Sequence, residues 1–190
     1  LGGGSLSLER IGEEELARQL SMSRTPVREA LQRLAMRELL EPATGGGYER
    51  RRTSPRGVRE HCELRLLLEP HAAARAAELH AHHGGLAACV AGLSPARTAA
   101  AATFHLAIAE AARGEALPEM IGRLNDLAAL DRAALGDNER AAEACRRAHA
   151  SILAAIEAGA ADAARAAMAK HLEQARDAMM ADLGRGERDA

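Results

Sequence analysis

The sequence predicts a mainly α-helical protein, a small N-terminal unit followed by an antiparallel helical bundle. Three observations predict it. Aromatic residues are 1% of the 190, with one Tyr, one Phe and no Trp, while 46 residues are alanine. Strands favour β-branched and aromatic side chains, whereas Ala, Leu, Arg and Glu head the helix scale. Apolar residues recur at helical spacing on both sides of one break, at 42–56. Gly and Pro then punctuate the chain about once per helix length, at Gly84-Gly85, Ser94-Pro95, Gly114, Gly136 and Gly159. This composition argues against a β-sandwich. It also lacks the aromatic platforms on which single-strand and RNA readers stack bases.

The elements follow in order. Glu13–Leu20 places Leu16, Ala17 and Leu20 on one face. After the turn Leu20-Ser21-Met22-Ser23, a second helix over Ser23–Leu34 carries Val27, Ala30, Leu31 and Leu34 at i, i+3, i+4 and i+7. The break contains Gly45-Gly46-Gly47-Tyr48, then Arg50-Arg51-Arg52, and reads as a hairpin tip with a basic arm. Helices are expected near 57–81, 86–92, 97–112, 117–135, 138–158 and 160–183. Asp162 near the start of the last one suits the positive end of a helix.

Charge and cysteine usage narrow the setting. The net charge is −2. Residues 1–56 hold ten Arg and eight Glu, so the N-terminal third is mildly basic and the rest acidic. Cys62, Cys89 and Cys145 form neither a CxxC pair nor a disulfide framework, which suits a reducing cytosol. No run of about 18 apolar residues exists, so no membrane partner is expected. The opening Leu1-Gly2-Gly3-Gly4 reads as neither a signal peptide nor a natural start.

Two short helices around a tight turn are the skeleton of a helix-turn-helix. Ser23 is the expected N-cap of the second helix, and Pro26 falls in the first turn, where its missing N–H costs no bond. Arg24 and Arg28 share the face opposite the apolar stripe. Two guanidinium forks near a helix N-terminus suit the O6/N7 edge of guanine in the major groove. Thr25 adds a hydroxyl for phosphate or base, and the Gly-Arg hairpin is a wing able to reach the backbone or minor groove. Arg at i, i+4 is also the ordinary pattern of a solvated helix face. The order of helix, turn, Arg-bearing helix and wing favours the reader.

The string Ser23-Arg24-Thr25-Pro26-Val27-Arg28-Glu29-Ala30-Leu31-Gln32-Arg33-Leu34, after Glu15-Leu16-Ala17, strongly resembles the winged-helix reader of the GntR family of bacterial repressors. The resemblance implies that Arg24, Thr25 and Arg28 contact double-stranded operator DNA, with Gly46 and Gly47 in the wing beside it. Two departures stand out. The family's wing carries an apolar strand after its glycine, whereas Tyr48 to Arg52 is polar. Residues 1–12 hold only a remnant of the helix that usually precedes the Glu-Leu-Ala segment.

Eight histidines fall into two groups. His61, His71, His80, His82 and His83 lie in or just after the first bundle helix. His105, His149 and His171 lie singly on three later helices, each flanked by helix-period apolar residues. One such histidine is ordinarily a satisfied core residue. Three from three helices can converge on a divalent cation such as Zn²⁺ or Ni²⁺.

Residues 57–183 resemble the effector-binding FCD domain of the family's FadR-type branch. Arg65-Leu66-Leu67-Leu68-Glu69, Phe104-His105-Leu106-Ala107-Ile108-Ala109, His149 to Ile156 and Ala163 to His171 match its four motifs. The resemblance implies that His105, His149 and His171 are metal ligands. It also implies a fourth ligand, an Asp four residues before His105, where this chain has Ala101. A small carboxylate effector can supply the missing oxygen. Arg65 and Glu69, at i, i+4, read either as an intrahelical ion pair or, for Arg65, as a pocket fork on an effector carboxylate.

These readings combine into a cytoplasmic two-domain regulator. Residues 1–53 form a winged helix-turn-helix and 57–183 the helical sensor, paired as a homodimer on a palindromic operator. It is expected to act as a repressor and not as an enzyme. The alternatives are a metal-dependent hydrolase with an open three-His site and a regulator whose metal site is vestigial. For the hydrolase, Glu110 and Asp131 are the nearest candidate bases, and no HExxH, P-loop or nucleophile elbow supports them.

Overall fold

The computed structural model describes residues 10–52, 54–83, 98–135 and 139–186. It divides into two compact units, residues 1–52 and 53–190. The expected helix at 86–92 lies outside the described residues, as do residues 1–9 of the N-terminal segment.

The first unit holds α1 (Glu13–Gln19), α2 (Arg24–Met36), β1 (Leu40–Pro42) and β2 (Tyr48–Arg50). Helix α1 ends where Ser21 takes φ 53°, a left-handed turn closed by Met22 N–H donating to the Ala17 carbonyl at 2.9 Å. Glu38, at φ 59°, ends α2 in the same manner, with Leu39 N–H on the Leu34 carbonyl at 3.0 Å. Ala17, Val27, Leu31 and Leu40 make the core, with Ile11, Leu16, Ala35 and Tyr48 packed against it. Leu20 and Leu34 are 55% and 39% exposed, because so small a unit can cover only the centre of each stripe. Ser23 does occupy the N-cap position of α2, but its hydroxyl makes no cap bond.

The hairpin is antiparallel, with Leu40 opposite Arg50, Glu41 opposite Glu49 and Pro42 opposite Tyr48. Tyr48 also bridges Ile11 on its other side, through bonds of 2.6 and 3.0 Å. Polar as it is, the segment after the glycines therefore pairs as a wing strand. Gly47 makes this possible: its φ is +78°, and a Cβ there would lie 2.7 Å from the Ile11 carbonyl oxygen.

The second unit is helical: α3 (Pro55–His83), α4 (Thr98–Ala111), α5 (Ala116–Leu135), α6 (Glu139–Glu157) and α7 (Ala161–Gly186). These match five of the six expected bundle helices to within three residues at each end. Helix α3 runs through Pro70, which cannot donate to the carbonyl one turn back and costs about 3 kcal/mol. Packing holds it. Ala72, Ala73, Ala76 and Ala77 are buried against Phe104, Ile108, Ile121, Ile152, Ile156, Met168 and Leu172 from the other four helices. Side-chain size sets how closely helices approach, so an alanine face lets neighbouring helices carry their inward side chains close to α3.

Candidate functional site

His105 on α4, His149 on α6 and His171 on α7 converge. Nε2 of His171 is 3.3 Å from Nε2 of His149 and 3.3 Å from Nε2 of His105. The three ligand atoms lie within 4.8 Å of one another and can hold a metal ion. His105 and His171 are buried and His149 half-buried. The chain's one Phe packs against two of them. Phe104 stacks on His149 with centroids 4.0 Å apart and meets His105 edge-on at 5.5 Å.

Helix α3 supplies the second layer. Oε2 of Glu69 lies 2.5 Å from Nδ1 of His105, although the alignment falls short of a good hydrogen bond. Oε1 of Glu69 accepts from Arg65 Nε at 2.6 Å. Arg65 and Glu69 are only 3% and 1% exposed, so this is no solvated surface pair. A carboxylate on Nδ1 favours the tautomer whose proton sits there and leaves the Nε2 lone pair for the cavity. Among the described residues Glu69 is the one hydrogen-bond partner of Arg65. The fork's two terminal nitrogens make no hydrogen bond among the described residues.

The electrostatics favour neutral imidazoles. Burial, with the neighbouring His105 and Arg65, holds His149 at about 3 and His171 at about 2, and burial also pushes His105 down. Burial would raise the Glu69 carboxyl, but His105 and Arg65 outweigh it and hold it at about 2. Because His105 is itself kept neutral, the lasting counter-charge is that of Arg65. Three imidazole nitrogens facing one another with few protons between them form an electron-rich focus.

Three residues near this focus escape sequence reasoning. Arg132 on α5 is pushed below its ordinary value by burial and by Arg65, and its charge depresses His105 and His149 in turn. Cys145 on α6 places Sγ 3.4 Å from His149 Nε2. Glu69 was visible only as a partner of Arg65, with no sign that it also reaches His105. The one available signal was the i, i+4 spacing of Cys145 and His149 on one helix face. Nothing in the sequence joins α5 to α3.

The candidate hydrolytic bases lie differently. Asp131 holds Nδ1 of His61 at 3.1 Å, and Glu110 is exposed.

In the first unit, Arg24, Thr25 and Arg28 are exposed along the start of α2. Arg24 donates to Glu14 of α1 at 2.5 Å, while Arg28 has no ion-pair partner among the described residues. Gly45, Gly46 and Gly47 form the wing tip, capped by the Arg10 guanidinium on the Gly45 carbonyl. Arg51 reaches Glu38 at 3.5 Å.

The model of the FCD domain matches residues 60–174, over half of the chain, and that of the bacterial regulatory proteins of the gntR family matches residues 5–49. The chain is an FCD-domain member of the GntR family. Solved structures share the architecture of this GntR protein. A transcriptional regulator GntR from Rhodococcus sp. RHA1 is 23% identical with a TM-score of 0.76, over 90% of this chain and 87% of that one. E. coli McbR/YncC is 26% identical with a TM-score of 0.72, over 90% and 86%. A GntR family member from Pseudomonas syringae pv. tomato str. DC3000 is 20% identical with a TM-score of 0.55, over 96% and 81%. No curated protein matches the chain. As a GntR regulator it is a DNA-binding transcriptional regulator. Among the described residues, no helix is long and apolar enough to cross a membrane.

Proposed function

We propose that this GntR protein is a cytoplasmic repressor. Residues 1–53 bind operator DNA, and a small carboxylate in the domain of residues 57–183 controls that binding. The observation that carries the reading is the convergence of three neutral imidazole nitrogens beside the buried, half-partnered Arg65. Zn–N bonds of about 2.0–2.1 Å at tetrahedral angles put ligand nitrogens roughly 3.3–3.4 Å apart; two of the three separations are 3.3 Å, and all three atoms lie within 4.8 Å of one another. His105, His149 and His171 thus fit Zn²⁺ or Ni²⁺. When bound, such an ion supplies a Lewis-acid position for one carboxylate oxygen. The chain's own residues do the rest: Glu69 fixes the His105 ring, Phe104 fixes His149, and Arg65, with Arg132, offers forked donors to an acid.

In the reader, Arg24, Thr25 and Arg28 contact base edges, and Ser23, with its hydroxyl unspent on capping, contacts phosphate beside Gly46 and Gly47 of the wing. A homodimer on a palindrome doubles the base contacts of one head. The effector shifts the operator-binding equilibrium only by its differential affinity for the two states. No hydrolytic base is assigned, since His61 holds Asp131.

Operator fragments selected from a random duplex pool test the reader. Arg28→Ala is expected to weaken binding by about 1–3 kcal/mol and to relax preference at one base pair. Unchanged affinity removes Arg28 from the interface. Metal analysis of the purified chain, with gel-shift titration against simple carboxylic acids, tests the sensor.

A further inference from the structure

The three-histidine focus has a charge problem. Three neutral imidazoles bring no negative charge to a divalent ion, and Ala101, one helical turn before His105, offers no ligand atom. Two guanidinium groups, Arg65 and Arg132, already project positive charge onto the same histidines. Glu69 cannot serve, because its two oxygens face Arg65 Nε and His105 Nδ1. A buried dication in such surroundings calls for an anionic partner.

Cys145 stands beside one of the three histidines. It lies one turn before His149 on α6, so both side chains emerge on the same helix face. Its Sγ is 3.4 Å from His149 Nε2, the atom that faces His171. Tetrahedral Zn²⁺ with Zn–S near 2.3 Å and Zn–N near 2.0–2.1 Å sets sulfur and nitrogen roughly 3.5 Å apart. The Cys145–His149, His149–His171 and His171–His105 separations of 3.4, 3.3 and 3.3 Å each have the length of one edge of such a tetrahedron, and the remaining edges would form as the ion draws the ligands together.

We propose that Cys145 is the anionic fourth ligand, making a three-His, one-Cys site for a thiophilic divalent ion such as Zn²⁺. This rests on the metal reading of the histidine cluster. On binding, a metal–sulfur bond forms, the S–H bond breaks, and the proton leaves to solvent; no electron is transferred. A four-ligand protein site is closed, whereas a three-His site keeps a position open. An incoming carboxylate must therefore add as a fifth ligand or displace the thiolate. Metal content and ligand response are then both tied to one cysteine.

Titration of the purified full chain with Co²⁺ tests this, using Co²⁺ as a coloured stand-in for Zn²⁺. The expected result is one Co²⁺ per chain with visible bands of a tetrahedral ion and an intense near-ultraviolet thiolate-to-cobalt band. Cys145→Ser is expected to abolish the near-ultraviolet band and weaken Co²⁺ binding at least about tenfold, the loss seen on removing even an outer-layer partner. Cys62→Ser is expected to keep the band, since Cys62 packs with Val58 and Met179 in a separate cluster. In Cys145→Ser, adding Ala101→Asp is expected to restore affinity without the band. Stoichiometric Co²⁺ binding with no thiolate band in the unaltered chain overturns the role of Cys145 and leaves the three-His site standing. No Co²⁺ binding at all overturns both.

Discussion

Replacing Glu69 by Gln tests how the histidine cluster is supported, because one carboxylate serves both Arg65 and His105. The magnitude follows from its ionisation. Holding a carboxyl at about 2 rather than 4.5 corresponds to at most about 3 kcal/mol in favour of the charged form, because part of that shift belongs to a charged His105 that the fold keeps neutral. A folded-state value below the unfolded one means that this contribution is complete above pH 4.5 and is lost as pH falls through about 2. Gln preserves size but not charge. It leaves Arg65 buried with no counter-ion, a fault that typically costs 3–5 kcal/mol. The expected loss at pH 7 is therefore about 3 kcal/mol, confined to the second unit. The sparse aromatic content makes this measurable. Tyr48, the one Tyr in a chain without Trp, sits in the wing, so its fluorescence follows the first unit. Ellipticity at 222 nm in urea is dominated by the long helices of the second. Glu69→Gln should move the ellipticity transition and leave the Tyr48 transition in place. Arg65→Met with Glu69→Met should recover most of the loss, because a buried pair replaced as a whole by apolar side chains is nearly neutral. A Glu69→Gln change below about 0.5 kcal/mol, or a double variant worse than the single one, refutes the reasoning.

Other outcomes follow from the same geometry. Gly47→Ala forces a Cβ against the Ile11 carbonyl at φ +78°; the strain should cost about 1–3 kcal/mol, read as an earlier Tyr48 transition with the 222 nm transition unmoved. His149 at about 3 and His171 at about 2 stay neutral in the fold but charge in the unfolded chain below 6.5. Stability of the metal-free second unit should thus be full above pH 6.5 and fall as pH drops, by about 2 kcal/mol per histidine at pH 5. Glu69 adds nothing in that window, and a urea midpoint that stays flat from pH 7.5 to 5 would show the rings are not held neutral. Leu64 and Leu67 of α3 are 41% and 72% exposed and one turn apart. If they lie in the homodimer contact, Leu67→Glu should lower the mass seen by sedimentation, and an unchanged mass places the contact elsewhere.

The legibility of this protein was uneven for physical reasons. Helices were legible because period and punctuation are local: five bundle helices and both short helices of the reader emerge where Ala-rich periodicity and Gly or Pro stops place them. Leu20 and Leu34 are exposed although they belong to apolar stripes, because periodicity says which face is apolar, not how much of it a small unit can cover. The wing was half legible. Three glycines mark a tip, but nothing polar in Tyr48–Arg50 announces a strand, and its pairing depends on Ile11, far away in sequence, closing over Gly47.

By itself the sequence determined the helical class, the GntR reader motif and the three histidines of the candidate metal site, because each is carried by residue type at short spacing. Tertiary structure alone decided what those residues face. It set the Nε2 atom of His171 3.3 Å from those of His149 and His105, turned Glu69 onto His105, brought Arg132 near Arg65 and placed Cys145 Sγ against His149. The reason is that α3, α4, α5, α6 and α7 each supply one side of the site, and how five helices are rotated about their axes depends on packing across the whole core, which no local window contains.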